Sequence, residues 1–446
     1  MKKTKWLALL LALAMVFALS ACGGGSTGDG GTQDTGPAQE DGGSGDSGSA
    51  GGSVASGEIP DVIKIGIVNP TTGPLAGFGE GNPWTENLVV DYVNNELGGI
   101  YFEDYDTSIP ISIITYDSES DTTTCAEMAQ KLIEEDHVNM LIARHTPETV
   151  NPVSAMAERY GVPCVGIDAP VDAWLAEGPY EWTYHAFWTL DMMYDQYSAM
   201  WEQAGFAKDS GAKVGVLFAN DADGTAWYGV FTDKIEADGY TLVDPGQYPA
   251  GTTDYSDIIS RFKSEGVQIL CGTNTNPDFG AFALQASQQG FNPEFVTMGK
   301  AYLLQADADA IGADLMDGNA AETWWTPYHP YVSALTGMDG PTLAEMYKEE
   351  SGREITQPMG LKYASMELCV AALQNAPNLE PESIRDGIAA IDVDTLVGHI
   401  SYNDQHYATT PLSGGQWQLQ DDGSLKLFIV NNVLNPEIHT TGELKK

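Results

Sequence analysis

The stretch that decides the fold lies at residues 63–79 and reads Ile63-Lys64-Ile65-Gly66-Ile67-Val68-Asn69-Pro70-Thr71-Thr72-Gly73-Pro74-Leu75-Ala76-Gly77-Phe78-Gly79. Its first six residues are rich in β-branched side chains and are followed by turn residues, which is typical of a buried strand. A helix is predicted next, with Asn82 as N-cap, Pro83 at the first helical position and Gly98-Gly99 at its end. Strand, loop and helix in this order predict the start of an α/β fold.

The same alternation of strand and helix runs along the chain and then restarts. Four strands are predicted in each half, with helices between them: 63–68, 111–116, 139–143 and 163–167, then 213–218, 240–243, 267–271 and 294–298. Alternation of this kind predicts parallel strands joined by right-handed crossovers. We therefore expect an α/β protein with two Rossmann-like lobes, each built on a central parallel sheet.

The lobe boundaries follow from where the pattern restarts. The roughly 390 residues after residue 58 exceed what one hydrophobic core usually organises. We predict an N-terminal lobe from residues 59–187 plus about 301–395, and a C-terminal lobe from 188–300 plus about 396–446. Residues 182–191 are predicted to pass between the lobes in extended form. The stretch 302–375 is mostly helical in pattern, and 400–402, 416–420 and 425–430 suggest short antiparallel strands, so the hinge is expected to be crossed several times.

The N-terminus is typical of an exported protein. Three lysines precede an apolar run over residues 6–19, which is too short for a comfortable membrane span and predicts a signal peptide over 1–21. The run ends in Leu19-Ser20-Ala21-Cys22, which resembles a bacterial lipobox and predicts lipidation of Cys22. An ordinary cleavage site followed by a chance cysteine is the alternative. Residues 22–58 are rich in Gly, Ser and Asp and predict a flexible tether. The protein is thus expected on the outer face of the cell membrane, in the periplasm if the cell has an outer membrane.

Composition excludes several classes of partner. The formal net charge of −43 argues against binding to nucleic acid. Four cysteines follow Cys22 without any CxxC pair, so no metal site or cofactor is predicted, and the disulfide pairing stays open among Cys125, Cys164, Cys271 and Cys369. The chain also lacks a Gly-x-Ser-x-Gly elbow, a His-Glu-x-x-His helix and a Walker loop. Catalysis is therefore not expected, and a hydrolase is the least favoured hypothesis.

Residues 63–79 resemble the opening of the leucine/isoleucine/valine-binding family of periplasmic proteins, which have the type I periplasmic-binding-protein fold. Further resemblance lies in Gly98-Gly99-Ile100, Tyr116-Asp117, Val162-Pro163 and Asn276-Pro277-Asp278-Phe279, and it covers nearly all of residues 60–446. The resemblance implies a monomeric solute-binding component of an ABC importer, which closes two lobes over a small amino-acid-like, aromatic or amine solute and presents it to a permease and its ATPase. A ligand-sensing receptor of the same fold is the alternative.

The loops after the strands are the expected site, because ligands bind at the carboxyl ends of strands in open α/β sheets. The resemblance implies that Phe78 lies against the ligand and that Asp278 binds its ammonium group. Asp168-Ala169 stands where relatives keep a threonine, and Glu148 would repel a ligand carboxylate. An N-cap role is an equally good interpretation of Thr146, and a core position is favoured over ligand contact for any single aromatic ring. The candidate ligand-binding residues are Phe78, Arg144, Thr146, Pro147, Glu148, Asp168, Ala169, Trp188, Asp223, Trp227, Asp278, Lys300 and Trp325.

Overall fold

The structure is a computed structural model, and it describes residues 59–446. The predicted signal peptide, the lipidation site at Cys22 and the tether lie outside the described residues. Within residues 59–446, no helix is long and apolar enough to cross a membrane. The cysteines at 125, 164, 271 and 369 are buried free thiols, and burial raises the pKa of Cys125 to about 12.

The strands of the described part are, in chain order, β1 (Ile63–Asn69), β2 (Ile100–Phe102), β3 (Thr107–Ile109), β4 (Ile111–Asp117), β5 (Met140–Ala143), β6 (Cys164–Ile167), β7 (Thr183–Ala186), β8 (Lys213–Phe218), β9 (Thr241–Val243), β10 (Ile269–Thr273), β11 (Phe295–Gly299), β12 (Ala320–Thr323), β13 (Asp392–Thr395), β14 (Gly398–Ser401), β15 (Tyr407–Ala408), β16 (Ser413–Leu419) and β17 (Leu425–Asn431).

The α-helices of residues 59–446 are α1 (Asn82–Asp91), α2 (Thr122–Glu134), α3 (Pro147–Tyr160), α4 (Val171–Leu175), α5 (Leu190–Gln203), α6 (Ala222–Ala237), α7 (Ser256–Glu265), α8 (Asn276–Gln288), α9 (Gln305–Ile311), α10 (Ala313–Met316), α11 (Gly340–Ser351), α12 (Gln357–Asn375) and α13 (Pro381–Ala389). Gly81, with φ of 73°, is the N-cap of α1, so Asn82 is one position further into the helix than predicted. A π-helical turn continues α1 over Tyr92–Leu97.

Two large sheets organise the molecule. The first has the strand order β15-β7-β6-β5-β1-β4, and every neighbouring pair in it is parallel. The second has the order β17-β16-β12-β11-β10-β8-β9, in which β8 to β12 are parallel and β16 and β17 are antiparallel additions. Ile63, Ile65 and Ile67 of β1 are fully buried, as a strand covered by helices on both faces requires. The predicted α/β class with two sheet-based lobes is confirmed.

Three passages of chain join the two sheets. The chain leaves the first sheet after β7 and enters the second at β8. It returns after β12, as the position of the buried helix α12 shows: α12 packs on α1 and β6 of the first lobe. It crosses a third time between β15, which pairs with β7, and β16, which pairs with β12. The hinge with several crossings is therefore present.

Three observed strands and the start of one helix differ from the sequence interpretation. Strand β12 pairs in the second sheet although residues 301–395 were assigned to the N-terminal lobe, and β15 pairs in the first sheet although residues after 396 were assigned to the C-terminal lobe. Both are short strands at crossings, where local sequence does not specify the partner sheet. Within 182–191, β7 is a strand of the first sheet and α5 begins at Leu190 rather than the passage being extended throughout. The lobe boundaries as a whole stay a prediction.

Candidate functional site

A small cavity lies where the carboxyl ends of the two sheets face each other. Four of its lining residues follow strands directly: Asp168 after β6, Phe187 after β7, Lys300 after β11 and Trp324 after β12. The complete lining is Phe78, His145, Thr146, Pro147, Asp168, Pro170, Phe187, Trp188, Asp223, Trp227, Thr273, Lys300, Glu322 and Trp324. This is the position at which a two-lobed α/β protein encloses a ligand.

Five aromatic rings form one continuous wall of the cavity. The rings of Phe78 and Trp324 stack with centroids 6.1 Å apart, and Phe187 meets Trp324 edge to face at 5.1 Å. Trp188 meets Trp227, which stands on α6, edge to face at 5.9 Å. All five side chains are buried. The wall therefore offers apolar faces to a flat or apolar ligand, with ring quadrupoles that favour a cation.

Opposite charges meet at the second-sheet side of the cavity. The Nζ atom of Lys300 lies 2.9 Å from Oδ2 of Asp223, and the hydroxyl of Thr273 donates to the same oxygen at 3.4 Å. Burial raises the pKa of Asp223 to about 6, because the attraction of Lys300 is partly opposed by the nearby charge of Glu148. Burial disfavours the ammonium of Lys300, but the carboxylates around it outweigh that penalty and raise its pKa. Lys300 is therefore positively charged in the cavity.

Glu148 reaches this cluster from the other lobe. It stands in the first turn of α3, and its Oε1 accepts a hydrogen bond from the backbone N–H of Asp223 at 3.4 Å. Burial alone would raise the pKa of Glu148, but the Lys300 ammonium and the hydrogen bonds from Thr146 and from backbone N–H groups together outweigh burial, and the pKa is lowered. Glu148 is thus ionised and links the first lobe to the first turn of α6.

Glu322 supplies another acid behind Lys300. Its Oε2 accepts a 2.6 Å hydrogen bond from the hydroxyl of Tyr197, and its Oε1 accepts from the backbone N–H of Lys300 at 3.2 Å. Burial raises the pKa of Glu322 to about 7 although these hydrogen bonds oppose the shift. Its charge therefore changes near neutral pH.

A second buried charge cluster supports the first-lobe side. Lys362 of α12 pairs with Asp168, and Arg144 pairs with Glu86 of α1. Arg144 also donates to Asn69 Oδ1 at 3.2 Å, and His145 Nε2 lies 2.9 Å from the same atom. Burial lowers the pKa of His145 far below its ordinary value, and the charges of Lys362 and Arg144 act in the same direction. His145 is therefore neutral, and the cluster holds the loops after β5 and β6 in place.

Three residues of the lining have left-handed backbone conformations. The φ angles are 97° at His145, 75° at Asp168 and 65° at Lys300. Each such angle costs a non-glycine residue about 1–3 kcal/mol and persists only where the surroundings impose it. Strain of this kind collects at binding sites, and here it turns three polar side chains at strand ends toward one cavity.

Eight predicted site residues line the cavity together: Phe78, Thr146, Pro147, Asp168, Trp188, Asp223, Trp227 and Lys300. Glu148 lies directly beside them through its contact with Asp223.

Four predicted site residues do not line it. Arg144 is bound by Glu86, so its guanidinium is already paired. Ala169 is buried, and its carbonyl accepts from His185 Nε2 at 2.7 Å. The Oδ2 of Asp278 accepts from the N–H of Gly251 at 3.2 Å. Trp325 packs on Gly360, and its Nε1 donates to the carbonyl of Leu396 at 3.1 Å.

Six residues of the lining were not among the candidate ligand-binding residues: His145, Pro170, Phe187, Thr273, Glu322 and Trp324. Three of them, His145, Pro170 and Thr273, lie two or three residues after predicted strands, so a wider window after each strand would have included them. Phe187, Glu322 and Trp324 carried no such signal, because the strands β7 and β12 were not predicted. Within residues 59–446, no group of three or more His, Cys, Asp or Glu side chains is placed to hold a metal ion.

Fold and cavity together define a two-lobed solute-binding protein. The family model described as periplasmic binding protein matches residues 62–424. The chain is 27% identical over 375 residues to Leu/Ile/Val-binding protein homolog 8 of Brucella abortus, covering 81% of this chain and 89% of that protein.

Solved structures give the same result for the fold. A leucine binding protein from Thermotoga maritima superposes with a TM-score of 0.68 at 20% identity, covering 82% of this chain and 97% of the other. A solute binding protein of an ABC transporter from Rhodopseudomonas palustris, in complex with 3,4-dihydroxybenzoic acid, has a TM-score of 0.65 at 18% identity, covering 82% and 95%.

The chain belongs to the periplasmic binding protein family, with the type I fold of the Leu/Ile/Val-binding proteins. The family resemblance and the extracytoplasmic solute-binding function predicted from the sequence are confirmed by this membership.

Proposed function

We propose that this protein captures a small solute that joins an ammonium group to an aromatic or apolar body, and delivers it to the permease of an ABC importer. The observation that carries the proposal is the combination of five buried rings with an excess of carboxylates in one cavity. Asp168, Asp223 and Glu322 line it with Lys300, and Glu148 adds a fourth carboxylate, whereas Lys362, which does not line the cavity, pairs with Asp168. A surplus of acid favours a ligand that brings positive charge.

Buried polar atoms of the lining support the same ligand class. Among the described residues, Oδ1 of Asp223 is buried without a hydrogen-bond donor, and the indole N–H groups of Trp188, Trp227 and Trp324 are buried without an acceptor. Buried polar groups are rarely left unpaired, because each costs about 1–3 kcal/mol. An ammonium group would satisfy the carboxylate and gain from the ring faces. A carbonyl or hydroxyl on the same ligand would satisfy the indoles.

Related structures support the size and character of the solute. The Thermotoga maritima protein is described as a leucine binding protein, and the Rhodopseudomonas palustris protein holds 3,4-dihydroxybenzoic acid. One relative thus takes an amino acid and the other an aromatic ring, and the cavity described above has features for both. Binding without chemistry is the function proposed: ligand contacts to both lobes stabilise the closed form that the permease recognises.

A thermal-shift screen tests the ligand class. Phenethylamine and phenylalanine carry an amine on an aromatic body, leucine carries an amine on an aliphatic body, and benzoate and 3,4-dihydroxybenzoate carry only an acid. We expect amine-bearing compounds to raise the melting temperature, since a ligand at 100 times its Kd adds about 2.7 kcal/mol of stability. Stabilisation by the acids alone would refute the proposal.

We further propose that the protein is monomeric and is held at the membrane by a lipid on Cys22. The lipobox-like sequence before Cys22 and the Gly/Ser/Asp-rich tether after it support this anchor. Cys22→Ala is expected to move the protein from the membrane fraction to the soluble fraction, as measured by fractionation of cells that express it. A variant that stays with the membranes would contradict the lipid anchor. Cys125→Ala is the control, because that thiol is buried and should not affect partitioning.

A further inference from the structure

Glu148 lies across the cleft from the lobe that carries its partners. It belongs to α3 of the first lobe, whereas Asp223 opens α6 on the second lobe and Lys300 follows β11 of the second sheet. The Oε1 atom of Glu148 accepts the backbone N–H of Asp223 at 3.4 Å. An N–H in the first turn of a helix has no partner within the helix and is a preferred position for an anion. The carboxylate of Glu148, a group of the protein itself, therefore occupies a position that favours an anion.

The N–H groups of the two buried residues in the first turn of α6, Asp223 and Gly224, are both occupied. The N–H of Gly224 is already bonded to Oδ1 of Asp221 at 2.7 Å. Lys300, whose side chain is 8% exposed, is paired with Asp223 at 2.9 Å. Oδ1 of Asp223 is buried and lacks a donor among the described residues, so the cluster has spare capacity for a positive group. A ligand carboxylate would meet Glu148, Asp223 and Glu322 with one lysine to offset them.

We propose that Glu148 is a specificity-determining residue, an internal carboxylate that fills the place a ligand anion would take and so excludes acids that lack an amine. This inference rests on the proposed function, because it names the residue that selects against acids in the same cavity. Like charges brought together in a dry site are unfavourable, and such repulsion is a recognised way to reject the wrong ligand.

The test is Glu148→Gln, which keeps the shape of the side chain and removes its charge. Titration calorimetry at pH 7.5 measures the affinity of the native protein and the variant for benzoate, 3,4-dihydroxybenzoate, phenethylamine and phenylalanine. We expect both benzoates to bind the variant at least tenfold more tightly than the native protein. Phenethylamine is expected to bind the variant no more tightly. An unchanged affinity for the benzoates would overturn the inference, as would tight binding of them to the native protein.

Controls separate this inference from the proposed function. Glu127→Gln on the exposed face of α2 makes the same chemical change away from the cavity and should leave every affinity unaltered. Glu148→Ala removes the same charge and serves if the glutamine variant does not fold. If the native protein binds amines and Glu148→Gln gains no acid affinity, the proposed function stands and the inference fails. If no amine binds the native protein but the variant gains affinity for the benzoates, the inference stands and the proposed ligand class fails.

Discussion

Replacing Lys362 by methionine is expected to lower the free energy of unfolding by about 3–5 kcal/mol. The side chains of Lys362 and Asp168 are both 0% exposed and pair with each other. Removing the amino group leaves the Asp168 carboxyl group buried without its partner, next to the buried pair of Arg144 and Glu86. Methionine is similar in length, so the loss reflects the missing polar partner rather than a cavity. Urea denaturation of the native protein and the variant at pH 7 measures the difference.

A matched substitution shows whether burial is the cause. Lys348 pairs with Glu354 on the surface, where the side chains are 61% and 73% exposed. Such exposed pairs contribute about 0–1 kcal/mol, so Lys348→Met should change the urea midpoint little. Combining Lys362→Met with Asp168→Asn should recover part of the loss, since the unpaired carboxyl group is then removed. A Lys362→Met variant as stable as the Lys348→Met control would show that the pair is not needed for folding.

The architecture could be predicted from the sequence because strands and helices leave periodic patterns. Residues 63–68 carry the β-branched run of a buried strand, and β1 lies in the interior of its sheet as that pattern requires. Positions directly after strands were also predictable, and Lys300 and Asp168 both line the cavity. The pattern does not indicate which strand a short strand at a crossing pairs with, as β12 and β15 show.

The direction of a side chain is the main part of the site that sequence could not give. Trp324 and Trp325 are neighbours of the same type at the end of β12, and the prediction chose Trp325. The structure places Trp324 against Phe78 in the cavity and Trp325 against Gly360 of α12. Arg144 was a candidate ligand-binding residue, but Glu86, 58 residues earlier in the chain, already pairs with it. Both outcomes depend on contacts between distant segments.

Asp223→Asn is expected to weaken the binding of an amine-bearing solute such as phenethylamine by at least about 30-fold, since losing one partner of a buried charge pair costs about 2–5 kcal/mol. The substitution removes a carboxylate that faces the cavity and leaves Lys300 without its 2.9 Å partner. The cavity then becomes more positive and repels an ammonium group. Titration calorimetry at pH 7.5 gives the affinity. An affinity within threefold of the native value would contradict the assignment of Asp223.

The pH dependence of the same binding distinguishes Asp223 from the other acids. Burial raises the pKa of Asp223 to about 6 and that of Glu322 to about 7. Both groups therefore keep protons near pH 5 and lose them by about pH 8, so native affinity for phenethylamine should rise across this range. In Asp223→Asn the part of the rise near pH 6 should vanish while the part near pH 7 remains.

Asp278→Asn is the matched control, because Asp278 was the acid that sequence resemblance assigned to the ligand ammonium. It does not line the cavity, and its Oδ2 accepts from the N–H of Gly251, a contact that an asparagine oxygen can preserve. We therefore expect native affinity and an unchanged pH profile in this variant. The reverse result, with Asp278→Asn losing the amine and Asp223→Asn keeping it, would move the ammonium site to α8 and away from Lys300. The two aspartates thus offer one decisive comparison, since they differ in position and not in chemistry.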